Sequence, residues 1–386
     1  MKIGIISLFN MKNVNYGNRL QAMALSNYLK KYFPDAEVDS ICFNDWGEQK
    51  VTNVFFWSRL KLKHLLMRLR KRNDDVVNVT KRLDKFNTFS NKFMTIIDSS
   101  ENLHSIVATK NYDYLIVGSD IVWGQERGYV NKSLFLDFKL HNNVKRVAYA
   151  ASFGAKNIPN ENKDYISNVL TDFSGISVRE SSAVGLLSSI GVEDVYHVAD
   201  PTLLITKQEW EQVEKIDIEV RKRVPEKYIF TYILGKDNFT RTEVERLAKD
   251  VDLPIVTIQY AGGTSCPADD NYNAIKLSDV SPEEWIWLIN HAEYVITDSF
   301  HGSVFSTIFK KKFLVTKREY IVDINERMRD FLMCTNQIEK WQSLNSISSL
   351  AEFDFHFKDV DHKLTSLIKD SSRFIENIIV EDMKNI

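Results

Sequence analysis

Cysteine is scarce in this chain. The three cysteines, Cys42, Cys266 and Cys334, are odd in number and lie far apart. This pattern excludes a disulfide framework, and it lacks the closely spaced ligands that are typical of a zinc motif. We therefore expect a reducing compartment and no metal site.

Charge of one sign and long apolar runs are missing as well. The net charge is −2 with 26% charged residues, so we expect no nucleic-acid partner, and anions must be bound by local clusters. There is no run of about 18 apolar residues that would span a membrane. The apolar stretch in residues 1–7 is too short for a signal peptide. We expect a cytoplasmic location.

The apolar content is sufficient for two domains. Of 386 residues, 44% are hydrophobic and 12% aromatic, and this length exceeds what one core usually supports. Strand-length apolar runs alternate with segments of helical periodicity in both halves, which is typical of parallel α/β sheets. We predict two Rossmann-like, doubly wound domains that face each other across a cleft, at residues 1–203 and 204–350, followed by a helical tail at 351–386.

The second half places a histidine where a strand turns into a helix. Residues 294–296 read as a buried strand, and apolar residues recur at helical spacing over 304–308. His301 therefore lies beside backbone N–H groups and the positive end of a helix dipole. Helix N-capping explains the preceding Asp298 and Ser299 equally well.

Polar or charged residues end several predicted strands of the first half. Asp120, Ser152 and Arg179 each follow a buried strand, and open α/β sheets bind ligands at these carboxyl ends. Asp120 is explained equally well as a turn cap. Asp200 follows a further strand, but Asp-Pro-Thr is favourable turn chemistry, and we favour that structural role.

Cations cluster beyond the last predicted strand of the second half, at Lys317, Arg318 and Arg327. Across a cleft they would face the strand ends of the first half, and such clefts are common enzyme sites. One histidine, one acid and several cations suit acid–base chemistry on a small phosphorylated or carboxylated substrate, without a metal.

Residues 55–72 combine leucines on one helical face with lysine and arginine on the other. This pattern is typical of a helix on an anionic membrane surface, which would make the protein peripheral at the membrane. A solvated basic face on a helix packed against its own domain explains it as well, and we favour this second interpretation. Vesicle sedimentation after changing Lys61, Lys63, Arg68 and Arg70 to Gln separates the two.

Six short motifs occur in a fixed order over roughly residues 1–335. They are Tyr16-Gly17-Asn18-Arg19-Leu20-Gln21, Val117-Gly118-Ser119-Asp120-Ile121-Val122-Trp123, Ala150-Ala151-Ser152-Phe153-Gly154, Ser177-Val178-Arg179-Glu180, Asp200-Pro201-Thr202 and Thr297-Asp298-Ser299-Phe300-His301-Gly302. Together they resemble the polysaccharide pyruvyl transferase family.

The resemblance implies a fold similar to the two-domain GT-B architecture. It also implies a reaction in which the enolpyruvyl carbons of phosphoenolpyruvate move onto two hydroxyls of a sugar. The expected products are phosphate and a cyclic pyruvate ketal on a precursor of a cell-surface polysaccharide, such as an exopolysaccharide or a capsule. Phosphoenolpyruvate is then the donor substrate, and we expect no cofactor.

The resemblance further implies roles for individual residues. His301 matches the family's histidine and is the expected general acid, in contact with the phosphate or carboxylate of the donor. Arg179 matches the arginine of the family's Ser-Val-Arg motif and is expected to bind the donor bidentately. Arg327 is the expected second cation, with Lys317 and Arg318 as rivals.

The remaining candidates complete the cleft. Asp120 is the predicted base, because a carboxylate on the acceptor side is needed to take the proton that the attacking hydroxyl releases. Asn18 and Gln21 are predicted to line the first-domain side. Ser152 and Ser299 are predicted to contact substrate.

Two other functions remain open. A GT-B-like glycosyltransferase that uses a nucleotide sugar has the same kind of cleft, and thermal-shift titration with UDP or GDP against phosphoenolpyruvate separates the two. A non-catalytic scaffold in polysaccharide assembly would keep the fold and bind partners through 55–72. The acceptor is free, nucleotide-linked or polyprenyl-linked, and the basic segment favours the last.

Overall fold

The computed structural model describes residues 1–42, 73–98, 103–124, 130–140, 143–259, 261, 266–318 and 325–383. The predicted basic helix at 55–72 lies outside the described residues, so both of its interpretations stay predictions.

The first half forms a parallel sheet of seven strands in the order β3-β2-β1-β4-β5-β6-β7. Its strands are β1 (Lys2–Ile6), β2 (Glu37–Cys42), β3 (Thr95–Asp98), β4 (Tyr114–Val117), β5 (Lys145–Ala151), β6 (Phe173–Val178) and β7 (Val195–His197). Its helices are α1 (Tyr16–Tyr32), α2 (Asn73–Phe93), α3 (Leu103–Lys110), α4 (Asn160–Leu170) and α5 (Ser181–Ser188). The central strands are continuous apolar runs because helices cover both faces of a doubly wound sheet.

The second half forms a parallel sheet of five strands in the order β10-β9-β8-β11-β12. Its strands are β8 (Ile229–Tyr232), β9 (Ile255–Ile258), β10 (Ile275–Leu277), β11 (Tyr294–Thr297) and β12 (Lys312–Val315). The helices from here to the end are α6 (Lys207–Val213), α7 (Ile218–Arg221), α8 (Asn238–Asp250), α9 (Pro267–Asp270), α10 (Pro282–Asn290), α11 (Phe300–Ile308), α12 (Glu326–Cys334) and α13 (Val360–Met383).

Both sheets reverse their strand order at the first strand, between β1 and β4 and between β8 and β11. The flanking strands end in register, with Ile6 beside Val117 and Tyr232 beside Thr297. Open α/β sheets bind ligands at such switch points. The predicted fold class, two Rossmann-like doubly wound units, is confirmed.

An aromatic core joins the two halves. The Tyr16 ring of α1 stacks on Trp285 of α10 with centroids 5.4 Å apart, and its hydroxyl donates to the Val280 carbonyl at 2.9 Å. Burial raises the pKa of Tyr16 far above its ordinary value, so the ring stays a neutral donor. Such ring pairs contribute about 0.5–1.5 kcal/mol beyond their buried area.

The last helix returns to the first sheet. Phe374, Ile375 and Ile379 of α13 are buried in one cluster with Leu25 and Leu29 of α1. The boundaries at 203/204 and 350/351 stay predictions. Among the described helices, none combines the length and the apolar content that crossing a bilayer requires.

Candidate functional site

His301 lies in the first turn of α11, at the switch point of the second sheet. Ser299 caps this helix by accepting from the Gly302 amide at 3.4 Å. The imidazole Nε2 lies 3.6 Å from Oδ2 of Asp200, which belongs to the first half. A Cβ atom on Gly17 would come within 2.1 Å of the His301 Nδ1. The glycine of α1 therefore makes room for the ring.

Arg179 directly follows β6 and is buried. Its guanidinium meets three carboxylates, at 3.1 Å from Asp200, 3.2 Å from Glu180 and 3.5 Å from Asp120. Its Cζ also lies 4.1 Å from the centre of the Phe300 ring. Burial alone would lower the pKa of this guanidinium, but the carboxylates outweigh burial and raise the pKa above its ordinary value.

The three carboxylates respond differently to this environment. Burial raises the pKa of each, but in Asp120 the neighbouring cations, Arg179 first, outweigh burial and lower the pKa. The pKa of Asp200 is lowered further still, because His301 and Arg179 outweigh the effect of burial there. Burial dominates in Glu180, whose pKa is raised. Asp120 and Asp200 are therefore held ionised, whereas Glu180 is the most readily protonated of the three.

Arg327 is the cation that the second half contributes to this cluster. Its Nη1 lies 3.3 Å from Oδ1 of Asp120, and burial lowers its pKa to about 10. Arg318 instead donates to the Asp298 carbonyl at 2.6 Å, and Lys317 is exposed. Of the three predicted rivals, Arg327 is the one that shares a carboxylate with Arg179.

The other predicted residues support this arrangement. Ser152 donates to Glu180 at 2.7 Å. The side-chain oxygen of Gln21 accepts from the Ser119 amide at 3.1 Å, which holds the backbone just before the aspartate at 120. Asn18 is buried, and its carbonyl accepts from Gln21 at 3.2 Å. These three residues contact the residues that surround the cluster.

Three buried donor atoms in the cluster make no close hydrogen bond to the described residues, although Nη2 of Arg179 lies 3.5 Å from Asp120 and Nε2 of His301 lies 3.6 Å from Asp200. They are Nη2 of Arg179, Nε of Arg327 and Nε2 of His301. A buried donor without a partner costs about 1–3 kcal/mol. Oxygen atoms of a bound anion would complete the hydrogen bonding of all three donors and would remove this cost where it is largest, at Nε of Arg327.

Sequence reasoning did not assign a site role to Asp200, Glu180 or Gly17. Asp200 does cap a turn as predicted, since its Oδ1 accepts from the Thr202 amide at 3.0 Å. Its other oxygen, however, faces Arg179 and His301. The available signal was position, because Asp200 and Glu180 both follow strands of the first sheet.

Known structures share this architecture at low sequence identity. S. aureus MnaA, in a co-structure with UDP, is 12% identical with a TM-score of 0.57 over 98% of this chain and 95% of that one. UDP-GlcNAc 2-epimerase from Methanocaldococcus jannaschii is 13% identical, with a TM-score of 0.53 over 97% of this chain and 99% of that one. UDP-GlcNAc 2-epimerase from Neisseria meningitidis, bound to UDP-GlcNAc, is 10% identical, with a TM-score of 0.54 over 98% of this chain and 100% of that one. These likenesses show a GT-B-like fold.

No curated protein matches the chain. The family model of polysaccharide pyruvyl transferases matches residues 15–319. This span contains the strands and helices that carry Asp120, Arg179 and His301, although it ends before Arg327. The chain is therefore a pyruvyltransferase of polysaccharide synthesis and belongs to the polysaccharide pyruvyl transferase family.

Proposed function

We propose that the enzyme moves the enolpyruvyl carbons of phosphoenolpyruvate onto two hydroxyls of a sugar, forming a cyclic ketal and releasing phosphate. The observation that carries the proposal is the set of unpartnered donors on Arg179, Arg327 and His301. The donor has two anionic ends, and guanidinium groups match phosphate and carboxylate oxygens. Two arginines flanking one imidazole suit such a molecule.

In this mechanism His301 protonates the methylene carbon of the bound donor. The adjacent carbon becomes oxocarbenium-like, and the first sugar hydroxyl attacks it and loses its proton. Departure of phosphate forms a second such centre for the neighbouring hydroxyl, whose proton balances the released phosphate. Asp200, ionised and 3.6 Å from Nε2, stabilises the imidazolium before proton transfer.

Asp120 remains the proposed base for the attacking hydroxyl, but its environment limits its strength. Its pKa is lowered by Arg179 and Arg327 against the effect of burial, which keeps it ionised and makes it a weak proton acceptor. Asp120 also spaces the two guanidinium groups. Asp120→Asn should raise KM for the donor if spacing dominates, and lower kcat alone if proton acceptance dominates.

The family implies a sugar acceptor. We extend the proposal to a polyprenyl-linked sugar, on the ground of the basic segment at 55–72. Turnover of a polyprenyl-linked sugar should then exceed turnover of the same sugar in free form. Equal kcat/KM for both would remove this extension and leave the ketal chemistry intact.

The proposal is tested with purified protein, phosphoenolpyruvate and a galactose- or N-acetylmannosamine-type acceptor. Phosphate release should depend on the acceptor, and mass spectrometry should detect the pyruvate ketal. UDP and GDP serve as competing ligands in a thermal-shift titration. Stabilisation by UDP or GDP but not by phosphoenolpyruvate would instead support nucleotide-sugar transfer.

A further inference from the structure

A histidine, a carboxylate and a thiol converge beside Arg179. His197 is the last residue of β7, whereas Asp330 and Cys334 lie one turn apart on α12. One potential ligand atom from each lies within 4.8 Å of the other two. No sequence motif indicates this cluster, because the histidine and the cysteine belong to different halves of the chain.

The hydrogen bonds around the cluster orient its ligand atoms. Nε2 of His197 lies 3.2 Å from the Arg179 carbonyl; in the tautomer that donates to this carbonyl, the other ring nitrogen keeps its lone pair for a metal. The Asp330 carboxylate accepts from the Ser181 amide at 3.0 Å and from its hydroxyl at 2.5 Å. Histidines and carboxylates that bind metals are held by such outer partners.

The spacing suits a small tetrahedral ion. The Cys334 sulfur lies 3.8 Å from Oδ2 of Asp330. With zinc bonds of about 2.3 Å to sulfur and about 2.0 Å to oxygen, these two atoms would be about 3.5 Å apart around the metal. The sulfur and the carboxylate oxygen therefore need to move by only a few tenths of an ångström, and the histidine ligand atom lies within 4.8 Å of both.

We propose that His197, Asp330 and Cys334 form a Zn²⁺ site, with water in the fourth position. A thiolate with an imidazole favours zinc over magnesium or calcium, which prefer oxygen ligands. This site is separate from the donor-binding cluster, although the Arg179 main chain contributes an outer partner to it.

The site would connect the two halves of the molecule. Its histidine belongs to the first sheet, whereas α12 follows the second sheet and also carries Arg327. A bound Zn²⁺ would hold this helix against the end of β7 and so fix Arg327 relative to Arg179.

Metal binding by the full chain tests the site directly. After removal of metals with a chelator, Zn²⁺ is titrated by calorimetry and Co²⁺ by absorption. We expect saturation at one ion per chain and a thiolate-to-cobalt charge-transfer band. Cys334→Ser should abolish the band and weaken Zn²⁺ binding by more than about tenfold, the loss that even an outer partner can cause.

Matched variants distinguish this site from other thiols. Cys266→Ser and Cys42→Ser should keep both the band and the affinity. His197→Gln removes a ligand but keeps a donor for the Arg179 carbonyl, so it provides a second test if Cys334→Ser does not fold. Absence of saturable Zn²⁺ binding, or wild-type affinity in both Cys334→Ser and His197→Gln, would overturn the proposal. Neither readout depends on activity.

Discussion

Nε2 of His301 lies 3.6 Å from Oδ2 of Asp200, so an imidazole at the switch point of one sheet faces a carboxylate at the edge of the other. Each residue follows a parallel strand of its own sheet. The pair exists only because the carboxyl ends of both sheets face one another, so its geometry depends on the packing of the two halves.

His301→Ala should lower kcat by about 10²-fold or more, because the variant loses the group that, in the proposed mechanism, delivers a proton to the methylene carbon. Acceptor-dependent phosphate release measures the effect. His291→Ala is the matched control, since His291 is exposed on the surface. Normal turnover of His301→Ala would refute the mechanism without affecting the family assignment.

Arg327→Gln should raise KM for phosphoenolpyruvate by about tenfold or more, the effect of losing a hydrogen bond to a charged group. The reason is that Arg327 shares Asp120 with Arg179 and presents an unpartnered Nε. Steady-state kinetics at saturating acceptor measures KM. Lys317→Gln is the control, and a larger effect at that exposed residue would reverse the assignment.

Arg179→Lys tests the bidentate role. Lysine keeps the charge but cannot reproduce the planar fork that spans Asp200, Glu180 and Asp120. We expect kcat/KM for the donor to fall by about tenfold or more. Retention of wild-type kcat/KM in this variant would mean that Arg179 supplies only charge.

Gly17→Ala should impair catalysis with little loss of folding. The added Cβ would lie 2.1 Å from Nδ1 of His301, so the ring must move. A misplaced catalytic group can cost about 10²-fold in rate. Gly185→Ala is the matched control, because its Cβ meets nothing within 4 Å and alanine favours a helix. Equal kcat in the two variants would show that the ring position is not critical.

The sequence predicts site residues where a polar or charged side chain directly follows a buried strand. Asp120, Arg179 and His301 follow buried strands, and parallel topology brings such ends to one edge. Asp200 was assigned to a turn because its capping role produces the same local pattern. The choice among Lys317, Arg318 and Arg327 depended on the path of the chain after β12, which no local periodicity encodes.

Asp200→Asn should destabilise the protein in a pH-dependent way. Burial raises the pKa of Asp200, but His301 and Arg179 outweigh burial and lower the pKa below its ordinary value. A lowered native pKa means that the ionised carboxylate contributes stability above the unfolded value of about 3.9, and that this contribution is lost as the pH falls through the native pKa. At pH 7 we expect a loss of about 3 kcal/mol, as for a broken buried ion pair.

Urea unfolding of the wild type and Asp200→Asn, at pH 7 and again at about pH 3, measures this difference. The gap in unfolding free energy should narrow at the lower pH, because the Asp200 carboxylate of the unfolded wild type, with its ordinary pKa of about 3.9, takes up a proton there, whereas asparagine does not titrate. Asp120 and Glu180 are present in both proteins, and loss of the Asp200 charge additionally lowers the pKa of Asp120, which Asp200 raises. As a control, Asp35→Asn lies at an exposed position. Its free energy of unfolding should differ from that of the wild type by less than about 0.5 kcal/mol at both pH values. A gap at Asp200 that stays constant between the two pH values would show that the ion pairs with His301 and Arg179 do not stabilise the fold.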